Sequence, residues 1–210
     1  MSVLSQILRR GTVLPPPPTH HDGDSGGGSS SSFPISKGYL ATWILMTAVT
    51  MLFAGLSSAY IVLRGVPEWQ NITVPRLVWA NTLILFASSI AIEFARSAVR
   101  KDQLDAVRQW LSMSGILGFG FLVGQFLVWR QLVNAGVYLS TTIHSSFFYV
   151  LTGAHALHLA GGLIGLVVVL RRAFTNGLTA SNHEPLRVWA LYWHFMDVIW
   201  IYCFLLLLLA

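Results

Sequence analysis

Cysteine is nearly absent from this chain: the one residue, Cys203, lies in its last apolar run. That excludes a disulfide framework, a Cys-x-x-Cys redox pair and a Cys-x-x-Cys-His haem attachment. Charge is scarce too, at 10% of 210 residues against 54% hydrophobic, with a mean hydropathy of +0.63. This balance excludes a water-soluble domain and defines an integral membrane protein. The net charge of +5 does not point to nucleic acid, because the thirteen Lys and Arg are scattered between apolar runs and form no stripe. They read as topology signals.

The first 36 residues lack the means to build a core. Residues 15–18 are all proline, His20, His21, Asp22 and Asp24 follow, and residues 25–32 are Gly and Ser. Such a segment buries too little apolar surface to fold alone. The opening stretch with Arg9 and Arg10 has no apolar h-region and no Ala-x-Ala site, so it reads as a disordered cytoplasmic tail and not as a targeting peptide.

Beyond the tail the chain divides into five apolar runs, at about 38–63, 77–95, 110–132, 145–170 and 188–209. Each meets the roughly 20 residues that a bilayer-spanning helix needs. The expectation is an all-α polytopic membrane protein: a tail over 1–36 and a five-helix transmembrane domain over 37–210. Gly115, Gly118, Gly120 and Gly124 in the third run let helices approach closely. Trp69, Trp79, Trp110 and Trp129 are taken as interfacial or lipid-facing residues. Counting cations on alternate sides puts ten on one side (Arg9, Arg10, Lys37, Arg96, Arg100, Lys101, Arg108, Arg171, Arg172, Arg187) and three on the other (Arg64, Arg76, Arg130). The positive-inside bias then places the N-terminus in the cytoplasm and the C-terminus outside.

Ionisable groups inside these runs are few and costly, about 2.5–3.5 kcal/mol each at the centre of a spanning helix. His155 and His158 sit in the fourth run, His194 and Asp197 in the fifth, each pair at an i, i+3 spacing that shares a helix face. At about 1.5 Å of rise per residue, His155 falls level with Asp197 and His158 with His194. The expectation is one intramembrane polar cluster of His155, His158, His194 and Asp197 joining the last two helices. Three histidines and a carboxylate also suit a metal or haem site. The bulky flanks Tyr192, Trp193, Phe195 and Trp200 favour hydrogen bonding and packing over a macrocycle. Glu93 falls nearer the inner interface. Arginine's planar fork suits phosphate, so Arg76 outside and Arg96, Arg171 and Arg187 inside are candidate contacts for phospholipid headgroups.

Two long motifs carry a resemblance. Phe147-Phe148-Tyr149-Val150-Leu151-Thr152-Gly153-Ala154-His155-Ala156-Leu157-His158-Leu159-Ala160-Gly161-Gly162, followed by Tyr192-Trp193-His194-Phe195-Met196-Asp197-Val198-Ile199-Trp200, closely resembles subunit III of the haem-copper respiratory oxidases. Asn81-Thr82, Ser88-Ser89, Gly124-Gln125 and Gly136-Val137-Tyr138 are similar to the family as well. The resemblance runs from about residue 38 to the end and is to the five-helix form of many bacterial members; mitochondrial members carry two further N-terminal helices where this chain has its tail.

The resemblance implies a non-catalytic subunit with no catalytic, metal or cofactor residues of its own, haem and copper being held by partner subunits. It implies direct packing on subunit I, association with subunit II and small subunits or a supercomplex, bound phospholipid, and a multi-pass place in the bacterial cytoplasmic membrane. The complex would be a proton-pumping cytochrome c or quinol oxidase, with this subunit supporting proton and oxygen supply. Members often carry a buried acid in the helix that is first here. Val49 stands at that position, and Glu68 in the following loop does not replace it at that depth. The alternatives are the accessory subunit of a nitric oxide reductase and, from another class, a small cytochrome holding haem between His155 or His158 and His194.

Overall fold

A chain crossing hydrocarbon satisfies its backbone polar groups internally, so apolar runs of this length become helices. The computed structural model describes residues 37–65, 75–175, 178–179 and 182–208. The expected tail, with His20 and His21, and the loop residues Glu68 and Trp69 lie outside the described residues. Five helices follow in order: α1 (Lys37–Leu63), α2 (Leu77–Arg100), α3 (Leu104–Asn134), α4 (Ile143–Phe174) and α5 (Glu184–Leu208). All five are long and apolar enough to cross a membrane, and no strand occurs among the described residues.

The helices outrun the apolar windows mainly at the end rich in Lys and Arg. α2 continues to Arg100, α3 begins at Leu104, α4 runs to Phe174 and α5 begins at Glu184. Hydropathy marks only the part that lies in hydrocarbon; the same helices project about a turn further into the interface, where Arg96, Arg108, Arg171 and Arg172 sit on helical backbone.

Two of the turns share one geometry. At the end of α2, Gln103 N–H reaches Ala98 O and Asp102 N–H reaches Val99 O, both at 3.1 Å, with Asp102 at φ 52°. At the end of α3, Val137 N–H reaches Leu132 O and Gly136 N–H reaches Val133 O, at 2.9 and 3.0 Å, with Gly136 at φ 78°. Both are Schellman closures, which pair the last helical carbonyls through one left-handed residue. α4 opens on a capping box, Thr142 and Ser145 each accepting from the other's backbone N–H at 3.0 Å.

Sequence neighbours are not always spatial ones. α2 pairs with α3, α3 with α4 and α4 with α5; α5 also packs on α2, while α1 leans on α4 and α5 and does not touch α2. α1 buries a single stripe, Met46, Val49, Phe53, Ser57 and Tyr60, whose 3-4-4-3 spacing makes one seam. The deepest core lies around α5. Trp193 is fully buried, and a Cβ added at Gly118 of α3 would stand 2.6 Å from its ring, one at Gly162 of α4 3.2 Å from Tyr192 and 3.4 Å from Trp193. Gly115 and Gly124 meet Leu166 and Asn81 in the same way, whereas Gly120 faces open space. Three of the four α3 glycines are therefore close-approach sites and the fourth is not.

This contrast sets a test. Gly118→Val forces the Trp193 ring out of its seat and should destabilise the bundle by about 1–3 kcal/mol, the usual cost of overpacking. Gly120→Val, with the same change in helix propensity, should leave the thermal midpoint in detergent near that of the parent. Equal shifts for both would mean that Trp193 is not seated against α3.

Candidate functional site

The 25 residues of α5 carry both expected ionisable groups, and both turn toward α2. His194 Nε2 lies 2.8 Å from Glu93 Oε1, and its Nδ1 lies 3.2 Å from Ser89 Oγ. Ser89 Oγ donates to Asp197 Oδ2 in a very short contact, and His194 Nδ1 is 3.7 Å from that same oxygen. Arg96 Nη1 closes the series on Glu93 Oε1 at 2.6 Å. Ser89, Glu93 and Arg96 stand at i, i+4 and i+7 on α2, His194 and Asp197 at i, i+3 on α5, so two helical faces meet as one seam. A buried Trp200 Nε1–H donating to Thr82 Oγ1 at 3.0 Å extends it.

The histidines of α4 do not join this seam. His155 is fully buried with both ring nitrogens unpartnered, its ring 5.7 Å from that of Phe121 and 4.9 Å from that of Trp200. His158 Nδ1 turns back to Ala154 O at 2.7 Å, and its ring meets Phe53 of α1 edge-on. The expected four-residue cluster is thus two separate pairs. The i, i+3 spacing puts each pair on one face, but α5 meets all four other helices, α3 through the Trp193 and Trp200 rings, and sequence spacing does not say which of them a face meets. The bonds between α4 and α5 are instead made by ring donors to backbone oxygens: Trp189 Nε1–H to Gly162 O at 2.8 Å and Tyr192 O–H to His158 O at 3.0 Å.

Ser89 and Glu93 are the site residues that the sequence reading passed over as partners. The available signal was their i, i+4 spacing on a helix whose inner half matches His194 in depth. Other polar residues of the spans tie further junctions. Ser88 Oγ pairs with Ser114 Oγ at 3.0 Å, Asn81 Nδ2 donates to Phe121 O at 3.1 Å, and Trp129 Nε1–H donates to Thr152 Oγ1 at 3.1 Å. Trp129 is therefore a joint between α3 and α4, while Trp79 is half exposed beside Phe204.

Among the candidate headgroup cations, Arg76 precedes α2 at the end poor in Lys and Arg, and Arg171 is exposed at the close of α4. Arg187 holds its guanidinium 5.8 Å from the Tyr39 ring centre, and Arg96 is taken up by Glu93. Arg172, next to the candidate Arg171, lines a groove of about 750 Å³ between α1, α4 and α5, as does Glu184. Gly161, Gly165, His158, Trp189 and Tyr192 line the groove further in.

A haem or metal does not fit these residues. Phe121 and Trp200 occupy the space beside His155, Phe53 stands against His158, and both nitrogens of His194 already have partners. Among the described residues no three His, Cys, Asp or Glu side chains are grouped to hold a metal ion.

Fold and site together define a polytopic α-helical bundle whose intramembrane polar groups bond helix to helix. Residues 45–209 match the family model for cytochrome c oxidase subunit III. The chain is 34% identical to cytochrome c oxidase subunit 3 of Thermostichus vulcanus over 176 residues, which cover 80% of this chain and 85% of that one. It is 33% identical over 174 residues to the subunit 3 of Corynebacterium diphtheriae, covering 79% and 84%, and 29% identical over 170 residues to that of Bacillus sp. strain PS3, covering 79% and 82%. The chain belongs to the cytochrome c oxidase subunit III family. It is a multi-pass protein of the bacterial cytoplasmic membrane, and neither the nitric oxide reductase nor the small-cytochrome alternative is favoured.

The two histidine environments predict opposite outcomes. Asp197→Leu removes the carboxylate that Ser89 and His194 share in the seam and should cost about 1–3 kcal/mol. His155→Phe removes two unpartnered nitrogens from an aromatic cage and should change stability by under about 1.5 kcal/mol in either direction. Thermal unfolding in mild detergent measures both, and a larger loss for His155→Phe would contradict the assignment.

Proposed function

We propose that the chain is the non-catalytic subunit III of a proton-pumping terminal oxidase, supporting a catalytic partner that holds the haem and copper. The observation that carries this reading is where the polar residues go. Ser88, Asn81, Trp129, Trp189, Tyr192 and Trp200 each bond one helix of the bundle to another, and His155 is sealed in aromatic side chains. Side chains used in this way hold a scaffold and leave no open ligand set among the described residues. Subunit I is the direct packing partner, subunit II completes the core, and small subunits or a supercomplex extend it. The N-terminus is cytoplasmic and the C-terminus outside, from the ten-to-three cation count. On that orientation the groove between α1, α4 and α5 opens in the inner leaflet and takes a phospholipid chain, with Arg172 beside the phosphate. Arg76, Arg96, Arg171 and Arg187 complete the set of candidate headgroup contacts. A packed, lipid-lined scaffold of this kind protects a neighbour's proton and oxygen supply over many turnovers.

Affinity purification of the tagged chain in mild detergent should bring down haem- and copper-containing subunits together with phospholipid, and Arg172→Gln should lower the retained lipid in native mass spectrometry. An oxidase stripped of this subunit should start at the parent rate of oxygen reduction and lose activity during sustained turnover. Immediate and complete loss with intact haem spectra would refute the supporting role.

A further inference from the structure

The seam between α2 and α5 holds more than a structural bond, because its donors and acceptors do not balance without an extra proton. Ser89 has one hydroxyl proton and gives it to Asp197 Oδ2. His194 Nδ1, 3.2 Å away, then bonds Ser89 Oγ only if it carries a proton itself. Nε2 faces the Glu93 carboxyl at 2.8 Å, so either the ring is doubly protonated or Glu93 carries the proton and donates it. A third arrangement keeps every bond as well: Asp197 protonated and donating to Ser89, Ser89 donating to Nδ1, and Nε2–H donating to a Glu93 carboxylate. The three arrangements contain the same number of protons. With one proton fewer, at least one of these bonds is lost.

We propose that Glu93, His194, Ser89 and Asp197 form a reversible proton store, loaded at Glu93 and reaching inward to Asp197. The proposal rests on the membrane reading of the helices and adds a proton-exchange role to the scaffold. Entry is at Glu93, which is half exposed beside Arg96 and seven residues, about 10 Å, from the last residue of α2. Asp197 lies at the enclosed end, its Oδ1 buried and unpartnered. In the loading step a proton on the Glu93 carboxyl passes to Nε2, the Nδ1 proton passes to Ser89 Oγ, and the Ser89 hydroxyl proton passes to Asp197 Oδ2. Glu93 ends as a carboxylate, Asp197 as an acid, and the imidazole as its other tautomer; unloading runs the same path backwards.

The surroundings leave this exchange to the seam itself. α2 brings Glu93 and Arg96, α4 turns His158 back on its own Ala154 carbonyl, and Phe121 of α3 and Trp200 of α5 enclose His155. α1 places Tyr39 against Arg187 at the end rich in Lys and Arg and Tyr60 against His144. The ionisable groups nearest His194 are the carboxyls of Asp197 and Glu93, with Arg96 bonded to the same Glu93 oxygen.

Time-resolved infrared spectroscopy of the full chain in phospholipid nanodiscs, after light-triggered acid release, tests the relay. The Asp197 carboxyl band is assigned by its loss in Asp197→Asn. In the parent it should rise as Glu93 takes up and passes on its proton; Ser89→Ala should slow that rise about a hundredfold, the scale that a positioned proton-transfer group contributes. Ser89→Thr keeps a hydroxyl and should restore the rate, and His194→Gln, which retains hydrogen bonding but relays no proton, should slow it as Ser89→Ala does. An Asp197 band that responds at the parent rate in Ser89→Ala and His194→Gln overturns the proposal, as does an Asp197 that never protonates in the parent. The readout needs no partner subunit, so it stands apart from whether the chain assembles in an oxidase.

Discussion

The seat of Trp193 between Gly118 and Gly162 is the contact on which the rest of the bundle depends. Lipid supplies no hydrophobic force between helices, so helices in a membrane hold together where they fit closely and where polar groups find partners. An indole placed against two glycines achieves the first condition, bringing α5 against α3 and α4 at once. With α5 held there, its remaining faces are committed. One carries Trp189 and Tyr192 to the carbonyls of α4, one carries His194, Asp197 and Trp200 to α2, and one receives the single buried stripe of α1.

The polar seam follows from this placement and from the cost of solitude in hydrocarbon. Asp197 and Glu93 would each be expensive alone at their depths. Joined through His194 and Ser89, and with Arg96 at the outer end, they form a short ladder from the helix end toward mid-span. Each interhelical bond in such a ladder contributes about 0.6 kcal/mol on average. Its stability value is therefore modest, while its capacity to hold one proton in several equivalent positions does not depend on that value. α1 has the weakest hold, one apolar stripe and ring edges, and beside it the groove with Arg172 opens.

Five membrane-length helices are legible in the apolar runs, because hydrophobic length is a direct physical requirement of the bilayer, while the helix ends beyond those runs are not. Gly118 as a close-approach site was legible too, but Gly120 looked the same and faces open space; small size says that a helix can come close, not that one does. His194 and Asp197 were visible as a pair, as were His155 and His158. Their separation was not, because matched depth on consecutive helices is necessary for contact and far from sufficient when one helix has several neighbours. Helical rise alone puts Glu93 near the interface, which hides it as a partner, although its carboxyl is the group that His194 meets. The family resemblance rested on long motifs in α4 and α5, and the match over residues 45–209 covers the same helices.

The claim that α5 turns its ionisable face to α2 can be tested by proximity in the membrane. With buried Cys203 replaced by alanine, Glu93→Cys paired with His194→Cys should be joined rapidly by a short bifunctional thiol reagent, and His155→Cys paired with His194→Cys should remain unjoined. Efficient joining of the second pair and none of the first would contradict the account, since the ionisable face of α5 would then lie against α4.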